Sequence, residues 1–116
     1  MGVTGIGGFF FRAMDPEGLA AWYAENLGVG AGDYGSWDQA AGTSLFLPFA
    51  TDTDDIPAGK QWRINFRVDD LDSMKGSLEA KGIEIETNPD WDAPGVGRFA
   101  RLHDPEGNSI ELWQLD

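Results

Sequence analysis

The chain has 116 residues, no cysteine, 20 acidic and 8 basic residues, and a formal net charge of -12. This length is typical of one domain that buries a core without disulfide bonds, and the negative charge disfavours nucleic acid and anionic membrane surfaces as partners. Because no apolar run approaches the roughly 20 residues of a membrane span, a soluble, cytoplasmic protein is expected.

The first half of the chain predicts a strand followed by a helix. Residues 6–12 are aromatic and β-favouring. Asp15 and Pro16 then supply an N-cap and a proline for the first helical position, and Gly28 supplies a C-cap. Between the caps, apolar residues recur at the spacing of one helical face, namely Leu19, Trp22, Tyr23 and Leu27.

Glycine-rich and polar segments follow this helix. Residues 30–42 predict a weak strand and residues 44–49 a second one. Residues 51–60 are acidic, contain proline and show no periodicity, so they predict a linker. The linker divides a single domain into two modules, at about residues 1–50 and 61–116.

The second half predicts another strand and helix, and then a closing hairpin. Residues 62–68 read as a strand, Asp70 as the helix N-cap and Gly82 as its stop. A short strand over 83–86 follows, and the DPEGN turn at 104–108 closes a hairpin. The predicted helical face consists of Leu71, Met74 and Leu78.

The last strand places a carboxylate between two apolar residues. Ile110 and Leu112 flank Glu111, so a pleat that buries the two aliphatic side chains turns Glu111 to the opposite face of the sheet. Whether that carboxylate has a function is the central question for this chain.

The two halves also resemble each other. Residues 11–17 match residues 66–72, and residues 42–47 match residues 107–112. Each half therefore predicts a βαβββ module. The predicted fold class is α+β, with two paired modules in one curved, mixed sheet of eight strands, helices on its outer face and a cup on its inner face.

Three blocks of sequence carry a family resemblance, and they span most of the chain. GGFFFRAMDPEGLAAWYAENLG, INFRVDDLDSMKGSLEAKG and GRFARLHDPEGNSIELWQ, in this order and spacing, resemble the glyoxalase, bleomycin-resistance and extradiol-dioxygenase superfamily, also called vicinal oxygen chelate proteins. The resemblance implies paired βαβββ modules, a homodimer, and a cup that in the enzymes holds one divalent metal.

The metal ligands that the resemblance implies are mostly missing. Carried over residue by residue, the four ligand positions fall on Gly8, Phe46, Arg63 and Glu111, of which only Glu111 can bind a metal. His103, the one histidine, reads as a solvated or capping residue. We therefore expect no cofactor and a metal-free cup, and a divalent metal would require non-standard ligands beside Glu111.

Alternation along the strands predicts which residues face the cup. Arg63 and Glu111 are predicted to form an ion pair across it. Trp37, Trp62 and Trp91 lie in or near loops and would either rim the cup or stack in a dimer interface. The predicted ligand-binding residues are Phe10, Phe46, Arg63, Asn65, Glu111 and Trp113, and the predicted core consists of Phe9, Phe11, Leu45, Leu47, Ile64, Phe66, Val68, Ile110 and Leu112.

Two classes of function remain. The first is a protein that binds a small organic molecule in an aromatic and polar cup without a metal. The alternative is a lyase, isomerase or dioxygenase-type enzyme of the same superfamily, in which Glu111 is the best catalytic candidate and works with a metal or the substrate in a non-standard way. A neighbouring guanidinium stabilises the charged form of a carboxylate and so makes it a weaker general base. Binding is therefore the favoured hypothesis.

Overall fold

A computed structural model describes all 116 residues and shows two α-helices and one mixed sheet of three strands. Strand β3 lies in the middle of the sheet, parallel to β1 and antiparallel to β2. No helix combines the length and apolar character needed to cross a bilayer. In chain order the elements are α1 (Pro16–Leu27), a 3₁₀ turn (Asp33–Gly35), β1 (Arg63–Arg67), α2 (Leu71–Ala80), a 3₁₀ turn (Pro89–Trp91), β2 (Gly97–His103) and β3 (Ser109–Leu115).

Helix α1 begins and ends where the sequence predicts. The Asp15 side chain accepts a hydrogen bond from the Gly18 N–H, and Pro16 is the first helical residue. Gly28 closes the helix with φ of 68°, a left-handed conformation that glycine adopts without steric cost. The predicted apolar face is confirmed, because Leu19 and Tyr23 are buried while Trp22 and Leu27 pack half-buried against the core.

Helix α2 is confirmed with a small shift at its end. Asp70 is the N-cap and accepts a hydrogen bond from the Ser73 N–H. The helix ends at Ala80 with Lys81 as C-cap, and the left-handed turn falls on Gly82, whose φ is 81°. Of the predicted helical face, Leu71 and Leu78 are buried and Met74 is half-buried.

The closing hairpin is also confirmed. Strands β2 and β3 are joined by the DPEGN turn, and their register pairs Arg101 with Glu111 and Leu102 with Ile110. Gly107 adopts φ of 82°, which explains the glycine in this turn.

The DPEGN turn holds helix α1 against the sheet. The buried Tyr23 hydroxyl donates to Asp104 Oδ2 over 2.7 Å. The Glu106 carboxylate accepts the N–H groups of Met14 and Asp15, at 2.7 and 3.1 Å, just before the helix begins. Both acidic residues of the turn are therefore structural.

The core lies between the helices and one face of the sheet. Both helices and all three strands contribute apolar side chains to it. The pleat prediction holds for β3, since Ile110 and Leu112 are both buried in this core. The core residues are Leu19, Tyr23, Phe66, Leu71, Leu78, Ala100, Leu102, Ile110 and Leu112, with Ile64 and Val68 among the half-buried neighbours.

The strands predicted for the first half are wrong for the single chain. Residues 6–12, 30–42 and 44–49 form no strand, and the strand predicted over 83–86 is reduced to one bridge between Glu86 and Arg101. A β-favouring segment becomes a strand only where a neighbour completes its backbone hydrogen bonds, and these segments have no such neighbour in the chain. The predicted core residues Phe9, Phe11, Leu45 and Leu47 are consequently exposed.

Within 30–42 the backbone itself opposes a strand. Gly30, Tyr34 and Gly35 all have positive φ, of 68°, 57° and 75°, and a 3₁₀ turn occupies Asp33–Gly35. Left-handed residues interrupt the extended conformation of a strand. The observed sheet has three strands, and the two modules are not equivalent in structure.

Candidate functional site

Glu111 lies in the middle of β3 and is held by side chains from both neighbouring strands. Asn65 on β1 and Arg101 on β2 are its register partners, so the three residues form a row across the sheet. Asn65 Nδ2 donates to Glu111 Oε1, and Arg101 Nε donates to Glu111 Oε2, each over 2.9 Å. Oε1 of Glu111 therefore accepts an amide hydrogen bond, and Oε2 accepts a charge-assisted one.

The predicted ion pair between Arg63 and Glu111 is present. Arg63 Nη2 lies 3.7 Å from Glu111 Oε2, and both side chains are only 10% exposed. Arg63 Nη1 also donates to the Asp55 carbonyl over 2.9 Å, and its guanidinium lies 5.9 Å from the centroid of the Phe49 ring. We call Arg63, Asn65, Arg101 and Glu111 the Glu111 cluster.

Two guanidinium groups share one carboxylate in this cluster. Burial lowers the pKa of Arg63, and the nearby charge of Arg101 adds to this effect, while Glu111 and Asp55 act in the opposite direction. Arginine still remains charged near neutral pH. The four side chains of the Glu111 cluster sum to a charge of about +1, and the neighbouring Asp55 carboxylate offsets part of the Arg63 charge, in a protein whose overall charge is strongly negative.

Aromatic rings border the cluster on β2 and β3. Phe99 and Trp113 are register partners whose rings stack at 5.9 Å with 9° between their planes. The Trp113 indole N–H donates to the Val96 carbonyl over 3.0 Å, which fixes the ring. The Arg101 guanidinium lies 4.0 Å from the centroid of the Trp91 ring, the geometry of a cation–π contact.

The structure brings together four of the six predicted ligand-binding residues. Arg63 and Asn65 each contact Glu111 within the cluster, and Trp113 lies two residues further along β3 on the same face. Phe10 and Phe46 are 93% and 89% exposed, so neither ring lines an enclosed cup in the single chain. Their roles in ligand binding stay predictions.

The loop tryptophans and Arg67 have identifiable partners. Trp37 packs on the core residue Phe66, and Trp62 contacts the rings of both Phe9 and Phe11. Arg67 donates to the carbonyl groups of Ala40 and Thr43, at 2.8 and 2.7 Å. These contacts hold the first half of the chain along the β1 edge of the sheet.

The four carried-over ligand positions do not suit a metal ion. Gly8 and Phe46 offer no ligand atom, and the Arg63 guanidinium lies beside the oxygen of Glu111 that a cation would have to approach. No group of three or more His, Asp or Glu side chains is arranged to hold a metal. That the cup works without a metal stays a prediction.

Sequence reasoning missed Arg101 and Phe99, and it named Trp91 only as a residue of the cup rim or of a dimer interface. The first two could have been found, because the DPEGN turn closes a hairpin whose register pairs residue 101 with 111 and residue 99 with 113. Trp91 belongs to an isolated 3₁₀ turn, and no local pattern predicts its contact with Arg101.

A separate depression of about 280 Å³ lies outside this cluster. It is lined by Trp22, Ile83, Glu84, Glu86, His103, Asp104 and Pro105 and shares no residue with the Glu111 cluster. His103 is exposed there, in agreement with its interpretation as a solvated residue.

Comparison with known proteins identifies one family over almost the whole chain. The family described as glyoxalase-like domain matches residues 8–113. Among curated proteins, CFP32 of Mycobacterium tuberculosis is 44% identical over 46 residues, which cover 40% of this chain and 17% of CFP32. The matched segment therefore spans less than a fifth of the length of that relative.

Two solved structures share the fold over nearly their full length. TnmS3, an antibiotic-binding protein from Streptomyces sp. CB03234, is 24% identical with a TM-score of 0.63, covering 100% of this chain and 99% of its own. Lactoylglutathione lyase from Agrobacterium tumefaciens is 20% identical with a TM-score of 0.60, covering 97% and 94%. At these identities the similarity shows a common fold.

Proposed function

The chain belongs to the glyoxalase-like domain family, and on that premise we propose that it binds a small organic molecule on the open face of its sheet, without a metal. The observation that carries the proposal is the arrangement around Glu111. Charged and amide groups converge there beside stacked aromatic rings, the composition expected of a small-molecule site. TnmS3, which has the same fold, is an antibiotic-binding protein, and a similar role suits this chain.

The binding role fits the Glu111 cluster better than proton transfer does. Both oxygens of Glu111 accept hydrogen bonds from Asn65 and Arg101, and Arg63 adds a second positive group. A general base must instead reach a proton of the substrate, and the buried Glu111 carboxylate is already held through both oxygens by groups of the chain. Glu111 thus serves to orient the two arginines, and the lyase, isomerase or dioxygenase alternative becomes an outcome of the test below.

We expect purified protein to contain no stoichiometric metal and to be stabilised by at least one organic ligand. Metal analysis would be combined with a thermal-shift screen of di- and tricarboxylates, neutral aromatic lactones and cationic antibiotics. A ligand present at about a hundred times its Kd would stabilise the fold by about 2.7 kcal/mol. Stoichiometric zinc, nickel or iron would contradict the metal-free site. Turnover that disappears in Glu111→Gln with the fold intact would instead support an enzyme.

The eight-stranded arrangement is proposed to form in a homodimer. Residues 6–11 and 45–49 expose a run of large apolar side chains and leave their backbone groups outside any sheet. Exposed apolar patches and unpaired β-favouring segments are typical of surfaces that contact another chain. A second copy of the chain would supply the missing strand partners and bring Phe10 and Phe46 over a Glu111 cluster.

Light scattering is expected to give a mass twice that of the chain. Phe46→Ser should shift the protein toward the monomer, because it removes a ring that is 89% exposed in the single chain and would be covered only in the dimer. Met14→Ser is the matched control, since Met14 is 94% exposed but lies outside both apolar segments. A wild-type monomer at all concentrations would exclude the dimer.

A further inference from the structure

The Arg101 guanidinium is fixed in place while its outer nitrogens have no partner. Nε donates to Glu111 and one face lies against Trp91, but neither Nη1 nor Nη2 donates a hydrogen bond within the chain. The side chain is only 19% exposed. No fully buried side-chain nitrogen or oxygen lacks a partner, so both of these nitrogens keep some solvent-accessible surface.

An immobilised guanidinium with free outer nitrogens is suited to a planar oxyanion. Its two terminal N–H groups point in parallel, which matches the two oxygens of a carboxylate. Ordering the side chain normally opposes binding, and here Glu111 and Trp91 have already ordered it. Arg63 adds a second positive charge nearby, which Glu111 and Asp55 offset in part.

The neighbouring surface is aromatic. Phe99 lies two residues from Arg101 on the same face of β2, at a distance of roughly 6.6 Å along the strand, and it stacks on Trp113. Phe99 is half-buried and so keeps part of its ring accessible. An aromatic ring bound there would place a carboxyl substituent at the outer nitrogens of Arg101.

We propose that the ligand is an aromatic carboxylate, held through its oxygens by Nη1 and Nη2 of Arg101 and through its ring by Phe99. This inference rests on the proposed small-molecule function and names its ligand class. The overall charge of -12 would by itself favour a cationic ligand instead. The two guanidinium groups of the Glu111 cluster favour an anion at this site, because screening limits the influence of distant charges to about a Debye length of 8 to 10 Å.

The test compares two probes of equal shape, naphthalene-2-carboxylate and the neutral 2-naphthamide, by calorimetry or NMR titration. Naphthalene-2-carboxylate is expected to bind the wild-type protein about tenfold more tightly, the factor that corresponds to one charge-assisted hydrogen bond. Added salt should weaken binding of the carboxylate and leave the amide unchanged. These measurements need no variant and are unaffected by any folding defect.

Variants then assign the preference to one arginine. Arg101→Met should remove the tenfold preference, and Arg101→Lys should retain part of it, because a lysine keeps the charge without the paired N–H groups. Arg98→Met is the matched control, since Arg98 lies on the same strand and pairs with Asp72 at the surface. Folding of each variant would be checked by its thermal transition.

The possible outcomes separate this inference from the proposed function. Equal binding of both probes, tighter binding of the amide, no binding of the carboxylate, or a preference that survives Arg101→Met would each overturn the aromatic carboxylate. Equal binding would leave a small-molecule site intact. Failure of every neutral, anionic and cationic compound in the thermal-shift screen would count against the proposed function itself.

Discussion

Asp104→Ala is expected to lower the free energy of unfolding by about 3 kcal/mol, because several buried donors lose their acceptor at once. The Asp104 carboxylate accepts hydrogen bonds from the Tyr23 hydroxyl, the N–H groups of Glu106 and Asn108, and the Asn108 side-chain amide. Asp104, Tyr23 and Asn108 are all buried. The change therefore loosens both the hairpin turn and its attachment to α1, and urea unfolding measures the loss.

Asp54→Ala is the matched control for this prediction. Asp54 is exposed and its side chain makes no hydrogen bond, so its removal should change the stability by less than about 0.5 kcal/mol. If Asp104→Ala were equally mild, the DPEGN turn would not be the attachment point of α1.

The hydrogen bond from Tyr23 to Asp104 also makes the stability of the fold depend on pH in the alkaline range. Burial, together with the neighbouring Asp104 carboxylate, raises the pKa of Tyr23 far above its ordinary value of about 10. Above pH 10 the unfolded state loses this proton and the folded state keeps it, so the free energy of unfolding falls as the pH rises. In Tyr23→Phe this fall of the unfolding free energy above pH 10 should be absent. In Tyr34→Phe, which changes a fully exposed tyrosine, the fall should remain.

Glu111→Leu is expected to destabilise the fold by about 3 kcal/mol, the second large effect. The side chains of Glu111 and Arg63 are 10% exposed, and removal of the carboxylate leaves two guanidinium groups facing each other without a counter-charge. Chemical denaturation measures the change, with far-UV circular dichroism as the check that the folded state is retained.

A double variant separates charge imbalance from simple loss of packing. Arg63→Met in the Glu111→Leu background removes one of the two uncompensated charges and should recover about 1 kcal/mol. Strict additivity of the two single changes, within about 0.5 kcal/mol, would show that Arg63 and Glu111 do not interact.

The elements that sequence reasoning predicted correctly are those specified by neighbouring residues. Asp15 and Asp70 cap their helices through bonds to N–H groups three residues away, and Gly107 closes a turn within its own hairpin. The placement of Glu111 on the face opposite Ile110 follows from the two-residue period of a strand. Such features need only a few residues of context, so a single sequence contains the information.

The strands predicted for the first half were wrong because a strand depends on a partner that is distant in sequence. Residues 6–12 and 44–49 have the composition of strands, but a strand exists only if another backbone pairs with it. The internal repeat made two equal modules the natural prediction, yet only the second module builds a sheet in the single chain. The repeat preserves residue types, and it does not specify which backbone each segment meets.

The sequence by itself determined the two capped helices, the closing hairpin, the family resemblance and the unsuitability of Gly8, Phe46 and Arg63 as metal ligands. Only the tertiary structure decided that Arg63 and Arg101 meet on the same oxygen of Glu111 and that Trp91 covers the Arg101 guanidinium. The physical reason is distance along the chain. Caps and turns are short-range hydrogen bonds, whereas the site joins residues from three strands and the loop before β2, whose meeting depends on how the whole sheet is assembled.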